Sequence, residues 1–403
     1  MLKPTNMKSV QILIVGGGNA GISTASQLLR RDKHLQISIV EPSEHHYYQP
    51  AWTLVGAGIY DIQKTKRSQA SVMPKRVEWI RARVASFDPA KNQVTLSDGS
   101  LVAYQYLIIA TGIQMNWQEV KGLPETLGKN GVCSNYKFDV APYTWEVLKN
   151  LKGGKAVFTS AHTAVKCGGA PHKIMWLAGD YLRKHGRLDQ TEIAYWSGGS
   201  RLFGVEKYEK TLLKVAERNH VNMHFAQKLV EVDGPNHRAK FVGIGKENEG
   251  QETWIEFDML HVTPPQSAPD VVRNSTLAND AGWVNVDQYT LQHKVFPNVF
   301  SLGDVAALPT AKTGAAVRKQ APVLVKNLLA FKNGQALEAK YTGYSSCPVV
   351  TGYGKLVLCE FDYTNQPKET FPIDQSKERW SMFMLKRWIL PWLYWNQILT
   401  GKM

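Results

Sequence analysis

Cysteine is scarce in this chain: four residues in 403, at Cys133, Cys167, Cys347 and Cys359. So few exclude a secreted disulfide scaffold. None forms a CxxC pair or stands at metal-ligand spacing with histidine, so no metal site is expected. The residues before Val10 hold neither the apolar core of a signal peptide nor an arginine-rich transit pattern. That predicts a chain facing a reducing compartment, where a lasting disulfide is catalytic rather than structural. Compact Lys/Arg runs and basic helices interleaved with aromatics are also missing, so nucleic acid is not an expected partner. The net charge is nonetheless +14, which suits an anionic membrane surface or an acidic substrate. At this length two or three domains are expected, because single cores stop growing near ~250 to 300 residues.

What is present is clearest at the N-terminus. Gln11-Ile12-Leu13-Ile14-Val15 reads as a buried parallel strand, followed by Gly16-Gly17-Gly18-Asn19-Ala20-Gly21, a helical pattern through Leu29, and a second strand, Ile37 to Val40, ending in Glu41. A lone GxGxxG is weak; strand, glycine loop, helix, strand and terminal acid together specify a dinucleotide-binding unit. Gly16 permits the tight turn, Gly18 lets backbone approach a pyrophosphate, and Gly21 lets helix and strand pack closely. The helix N-terminus at Asn19 and Ala20 adds amides and positive dipole. Glu41, twenty residues past Gly21, is placed for an adenosine ribose.

Two later segments narrow the dinucleotide. Leu107 to Ala110 leads into Thr111-Gly112, and Asn298 to Leu302 leads into Gly303-Asp304. GxGxxG, ATG and a late GD in this order resemble the flavoproteins with two dinucleotide-binding domains, the glutathione reductase-like superfamily. The resemblance implies FAD, with Asp304 at its ribityl and pyrophosphate region and the Val84 backbone at its adenine. Lys312-Thr313-Gly314-Ala315 opens a helix whose apolar positions, Val317, Ala321, Leu324, Val325 and Leu328, give one buried face. Its N-terminal dipole would stabilise negative charge on the flavin.

The superfamily normally has a second glycine loop for a nicotinamide dinucleotide. The corresponding slot, after the apolar strand 155–159, reads Thr159-Ser160-Ala161-His162-Thr163-Ala164. Without close-approach glycines a second pyrophosphate is hard to seat, so the electron donor is not expected to be a nicotinamide. Three residues on stands Cys167, between Lys166 and Gly168.

Tyr48 to Gly58, Lys166-Cys167-Gly168-Gly169-Ala170-Pro171, Lys312-Thr313, Ser346 to Tyr353 and the tail from Ser376 resemble, in this order, the sulfide:quinone oxidoreductases of the type that includes the mitochondrial enzyme. Two departures are His172, where glutamine is expected, and Cys133. The resemblance implies a redox-active Cys167–Cys347 disulfide beside the flavin and a Gln49 contact to FAD. Hydrosulfide would attack Cys347, leaving a persulfide there and a thiolate on Cys167 that passes two electrons to FAD at flavin C4a. The outer sulfur would leave on a small thiol or other sulfur acceptor, and ubiquinone or menaquinone would take the electrons onward. Lys166 and Lys173 flank Cys167 and either lower its pKa from ~8.5 or are solvated surface charges. Cys359 reads as core, Cys133 stays open, and His45-His46 are expected in a turn or at the surface.

The tail from Trp380 to Trp395 is dense in aromatics and flanked by Lys377, Lys386, Arg387 and Lys402. From Trp388 to Gly401 there are fourteen uncharged residues, short of the ~20 a spanning helix needs. Short, aromatic and basic reads as an interfacial anchor; the alternative is a helix packed on its own domain or on a second subunit of a homo-oligomer. With the anchor, a quinone mouth lined by Phe383 and Tyr394 is expected.

The expected architecture is α/β, with two Rossmann-like dinucleotide-binding domains, the second degenerate, and a C-terminal membrane-associating region. The FAD domain would span 1–115 and 285–330, the degenerate domain 116–284, and the C-terminal domain, with Cys347, 331–403. A peripheral protein follows, on the cytoplasmic face of a bacterial inner membrane or the matrix side of the mitochondrial one. The rivals are a membrane NADH:quinone oxidoreductase, which needs the missing glycine loop, and a non-enzymatic FAD-binding scaffold, which would not need the cysteines.

Overall fold

The strand Lys8–Val15 is apolar on both faces over its second half because it runs through the middle of a sheet. In the computed structural model it pairs in parallel with Ile37–Val40 on one side and Leu101–Ile109 on the other. Val77–Ile80 extends the sheet beyond Ile37–Val40, and Val299–Ser301 returns from far down the chain to pair with Leu101–Ile109. An antiparallel meander, Val84–Asp88 and Gln93–Leu96, completes seven strands. Residues 7–403 are described; the first six, part of the stretch read for a signal peptide, lie outside the described residues. Helices Asn19–Arg31 and Gly314–Lys332 pack side by side over this sheet, sharing a core with Ile12, Ile14 and Phe300.

Between the two visits to the first sheet lies a second one, five parallel strands in the order Val132–Cys133, Met259–His261, Gly154–Ser160, Thr191–Ser197, Val221–His224. It has the all-parallel form of a nucleotide-binding unit. The helix Ala170–Lys184 follows the Cys167 loop and is almost wholly buried. An antiparallel ribbon, Ser345–Gly352 with Lys355–Phe361, lies against that helix. It carries Cys347 to the Cys167 loop from a different part of the chain.

The tail is helical over 380–398, with α-helical turns at Trp380–Met384 and Leu390–Leu393 and wider π-helical turns at Leu385–Ile389 and Tyr394–Ile398. One face is packed: Tyr394, Trp395 and Leu399 join Ile22, Tyr48 and Ala51 in a small core. Ser26 Oγ donates to Leu399 O at 2.6 Å and Gln27 Nε2 to Met403 O at 3.0 Å. The other face exposes Trp380, Trp388, Ile389 and Trp392. One face of the tail is thus packed on the chain's own first sixty residues, and the other carries exposed aromatics. Among the described residues no helix is long and apolar enough to cross a membrane.

Candidate active site

The glycine loop has the shape its residue types require. Gly16 sits at φ +108°, a conformation side chains rarely adopt, and a Cβ on Gly21 would collide with the Gly16 carbonyl oxygen. Glu41 ties the loop down: its Oε2 accepts from Gly17 N at 2.7 Å and its Oε1 from Ser43 N at 2.7 Å. The space above the loop is clear. A Cβ on Gly18 or Gly112 would meet no atom within 4 Å, and one on Gly314 would meet only the Asn19 amide. The buried Thr111 hydroxyl has no partner. Gly303, at φ +77°, brings its backbone against Ala20. An open cradle, two helix N-termini and an unpaired hydroxyl suit a dinucleotide pyrophosphate, so the residues present fit FAD.

Asp304 follows Gly303 and is half-buried; desolvation pushes its carboxyl up, opposed by Lys312 and Lys166. Lys312 Nζ donates to Asp304 O at 2.6 Å and lies 3.8 Å from the centre of the Trp283 ring. Burial lowers its ammonium to about 8 against the pull of Asp304. Lys166 Nζ donates to Gln49 Oε1. Thr313 caps the Gly314–Lys332 helix, its hydroxyl accepting from Ala316 N at 3.1 Å, one residue past Ala315. Val84 is buried at the start of the meander.

Cys167 stands in the left-handed backbone region, φ +53°. For a non-glycine residue this costs about 1 to 3 kcal/mol and persists only where surroundings enforce it. They do: Cys167 N donates to Lys312 O at 2.7 Å and Ala170 N to Cys167 O at 2.7 Å. The result is Cys167 Sγ at 3.4 Å from Cys347 Sγ. Gly169 is required beside them, since a Cβ there would stand 2.6 Å from Cys347 Sγ.

The charge around this pair comes from two lysines. Lys173 is buried, not a solvated surface charge, and donates to Cys167 Sγ at 3.0 Å. The hydrogen bond from the Cys347 thiol, followed by the Lys173 charge, holds Cys167 well below the ordinary thiol value despite burial. Cys347 is pushed well above that value as the donor. Burial alone would lower Lys173, but the two sulfurs outweigh it and hold its ammonium. Lys386, buried on the tail helix, donates to Pro50 O at 2.8 Å. Burial, then repulsion from Lys173, lowers it to about 7. The sequence reading counted Lys386 among the basic residues flanking the tail and missed its burial beside the site.

The other two cysteines are core. Cys133 is fully buried in the second sheet, its thiol pushed up to about 12 by burial. Cys359 pairs with Cys347 across the ribbon and is also fully buried. His46 corrects the expectation of a turn or surface position: it is buried, in the strand His45–Tyr47, while His45 is exposed. Phe383 and Tyr394 are both buried, and the Tyr394 hydroxyl meets His46 Nε2 at 2.6 Å.

The slot where a second glycine loop was expected is built of other contacts. The His162 backbone fills the space a side chain at Gly198 would need, and Thr163 Oγ1 accepts from Gln266 N at 2.9 Å. On the outer side of the Cys167 loop lies a cavity of about 670 Å³ lined by Gly168, Arg201, Phe203, Trp283, Leu308 and Lys312.

Comparison with known proteins agrees with this geometry. Residues 10–166 match the pyridine nucleotide-disulphide oxidoreductase family. The chain is 47% identical over 395 residues to the mitochondrial sulfide:quinone oxidoreductase of Dictyostelium discoideum, covering 97% of this chain and 86% of that one. It is 45% identical to the mouse protein of the same name, with 97% and 86% covered. Its fold matches the crystal structure of the sulfide:quinone oxidoreductase of Aquifex aeolicus with a TM-score of 0.82 at 19% identity, covering 98% of this chain and 92% of that one. At 45 to 47% identity over nearly its whole length to these relatives, the chain belongs to the sulfide:quinone oxidoreductase family.

Proposed function

We propose that this flavoprotein oxidises hydrogen sulfide through a Cys167–Cys347 disulfide and hands the electrons by way of FAD to a membrane quinone. The observation that carries the reading is the 3.4 Å approach of the two sulfurs with Lys173 at 3.0 Å from one of them. In the oxidised pair, hydrosulfide attacks Cys347 Sγ; a new S–S bond forms, the Cys167–Cys347 bond breaks, and Cys167 leaves as thiolate. Thiol-disulfide exchange is faster the lower the pKa of the leaving thiol, and the Lys173 ammonium at 3.0 Å lowers that of Cys167. A thiol or other nucleophile then takes the outer sulfur from Cys347, restoring a thiolate there. FAD, when bound, accepts the electron pair released as the two thiolates re-form their disulfide, and quinone removes it.

The cofactor would be held by Gly16, Gly18, Asn19, Ala20 and Gly21 at the pyrophosphate, and by Glu41, which retains lone pairs for a ribose hydroxyl. Val84 would lie at the adenine. Gln49, Thr111, Gly112, Gly303, Asp304, Lys312, Thr313, Gly314 and Ala315 would surround the ribityl chain and ring. The cavity beside Gly168 is the route we assign to sulfide and to the sulfur acceptor, with Arg201 and Lys312 drawing anions toward it.

The tail supports a peripheral membrane position. Trp388 and Trp392 are each 55% exposed and Trp380 67%, with Arg387 near the Trp388 ring. Exposed tryptophans rimmed by cations match a bilayer interface. Each Lys or Arg at an anionic surface contributes about 1 kcal/mol. The quinone would approach between this surface and the flavin, past Phe383 and the ring of Tyr394.

The test is Cys167→Ser and Cys347→Ser. Each is expected to keep FAD and lose nearly all sulfide-dependent quinone reduction; wild-type turnover in either variant would reject the mechanism.

A further inference from the structure

The Gly17 carbonyl is held by two side-chain groups, Gln69 Nε2 at 2.8 Å and His46 Nδ1 at 3.2 Å. A carbonyl only accepts, so His46 carries its proton on Nδ1. Its Nε2, 2.6 Å from Tyr394 Oη, is then the acceptor of the tyrosine proton. Burial keeps the imidazole neutral by lowering its pKa to about 4. The chain of donation therefore runs one way, from Tyr394 in the tail through His46 to the glycine loop.

The direction of that carbonyl matters because the Gly17 C=O and the Gly18 N–H share one planar trans peptide and point opposite ways. Pinning the carbonyl toward His46 and Gln69 aims the Gly18 N–H away from them, and a Cβ at Gly18 would meet nothing within 4 Å. Gly18 is also the N-cap of the Asn19–Arg31 helix, the end at which backbone N–H groups bind phosphate. Meanwhile Gly17 N–H is already committed to Glu41. The Tyr394 ring is itself seated in the tail's packed face, 4.7 Å from the centre of Tyr48 and 5.0 Å from that of Trp395.

We infer that Tyr394, acting through His46, is a positioning residue for the FAD pyrophosphate loop, so that FAD binding and seating of the C-terminal segment form one coupled equilibrium. Linkage makes the effect reciprocal: a seated tail tightens FAD, and bound FAD holds the tail. The membrane-facing helix is thereby tied to the presence of cofactor.

The test uses full-length apoprotein. FAD affinity is read by flavin fluorescence, and hydrogen exchange of residues 390–403 is followed with and without FAD. Tyr394→Phe is expected to bind FAD about tenfold more weakly, the loss expected for one buried hydrogen bond at 1.4 kcal/mol per tenfold. His46→Asn keeps a donor near the position of Nδ1 but has nothing to receive the tyrosine proton, so adding Tyr394→Phe to it should cost nothing further. In the wild type FAD slows exchange in 390–403. That measurement needs no variant and stands even if Tyr394→Phe folds poorly. Unchanged FAD affinity in Tyr394→Phe, additive losses in the double variant, or tail exchange indifferent to FAD would each overturn the inference.

Discussion

Lys173 Nζ lies 3.0 Å from Cys167 Sγ, and the lysine is buried, so its charge acts on the sulfur with little screening by water. Lys173→Met removes that charge while keeping the packing. Burial is then opposed mainly by the Cys347 hydrogen bond and the Cys167 thiol rises; each pKa unit is worth about 1.36 kcal/mol. Flavin reduction by sulfide should slow about tenfold or more at neutral pH and recover as pH rises. Stopped-flow absorbance across pH checks this; a loss independent of pH would mean that Lys173 acts by packing alone.

Lys386 gives the pH dependence of stability a sign. Its folded pKa is about 7, below the ordinary lysine value of ~10.4. Between those values the folded state binds fewer protons than the unfolded one, so Lys386 makes stability rise with pH there. Its penalty is fully present below about 7. Lys386→Met should flatten that rise in the melting temperature between about pH 7 and 10. A variant with the wild-type slope would show that Lys386 does not release its proton on folding.

Gly18→Ala and Gly21→Ala separate cofactor contact from fold. The first adds a methyl only to open space, the second drives one into the Gly16 carbonyl. Gly18→Ala should leave the apoprotein's melting temperature unchanged and sharply weaken FAD binding. Gly21→Ala should lower both. Calorimetry of the apoproteins with FAD titration distinguishes them, and tight FAD binding by Gly18→Ala would remove the pyrophosphate from that position.

The two faces of the tail predict two kinds of variant. Trp388→Ser with Trp392→Ser should abolish sedimentation with anionic liposomes while leaving melting temperature and FAD content intact. Truncation before Trp380 should also destabilise, because Tyr394, Trp395 and Leu399 are buried against Ile22 and Tyr48. Normal liposome binding by the double variant would leave the exposed tryptophans without a membrane role.

The parts of this site written in consecutive residues were legible in the sequence: the glycine loop with Glu41, Gly303-Asp304, and the helix opening at Lys312 to Ala315. Cys167 and Cys347 were paired only through a family resemblance, since nothing local in either motif brings a loop and a distant ribbon to 3.4 Å. Lys173 was seen but left ambiguous, because whether a helix lysine is solvated depends on what packs over it. Lys386 was read only as a charge flanking the tail, and the Tyr394–His46–Gly17 connection was not legible. They arise from tail residues meeting the first 70 residues, contacts that neither propensity nor periodicity encodes. The second sheet shows the converse: its parallel order is ordinary for a nucleotide-binding unit, yet the turn after its strand Gly154–Ser160 lacks the close-approach glycines.

Anaerobic sulfide titration of the FAD-loaded protein, followed by flavin absorbance, tests the central claim most directly. The account predicts stoichiometric bleaching in the wild type, oxidised flavin in Cys347→Ser over the same time, and no bleaching of either by NADH. Bleaching of Cys347→Ser by sulfide at the wild-type rate, or reduction of the wild type by NADH, would contradict it.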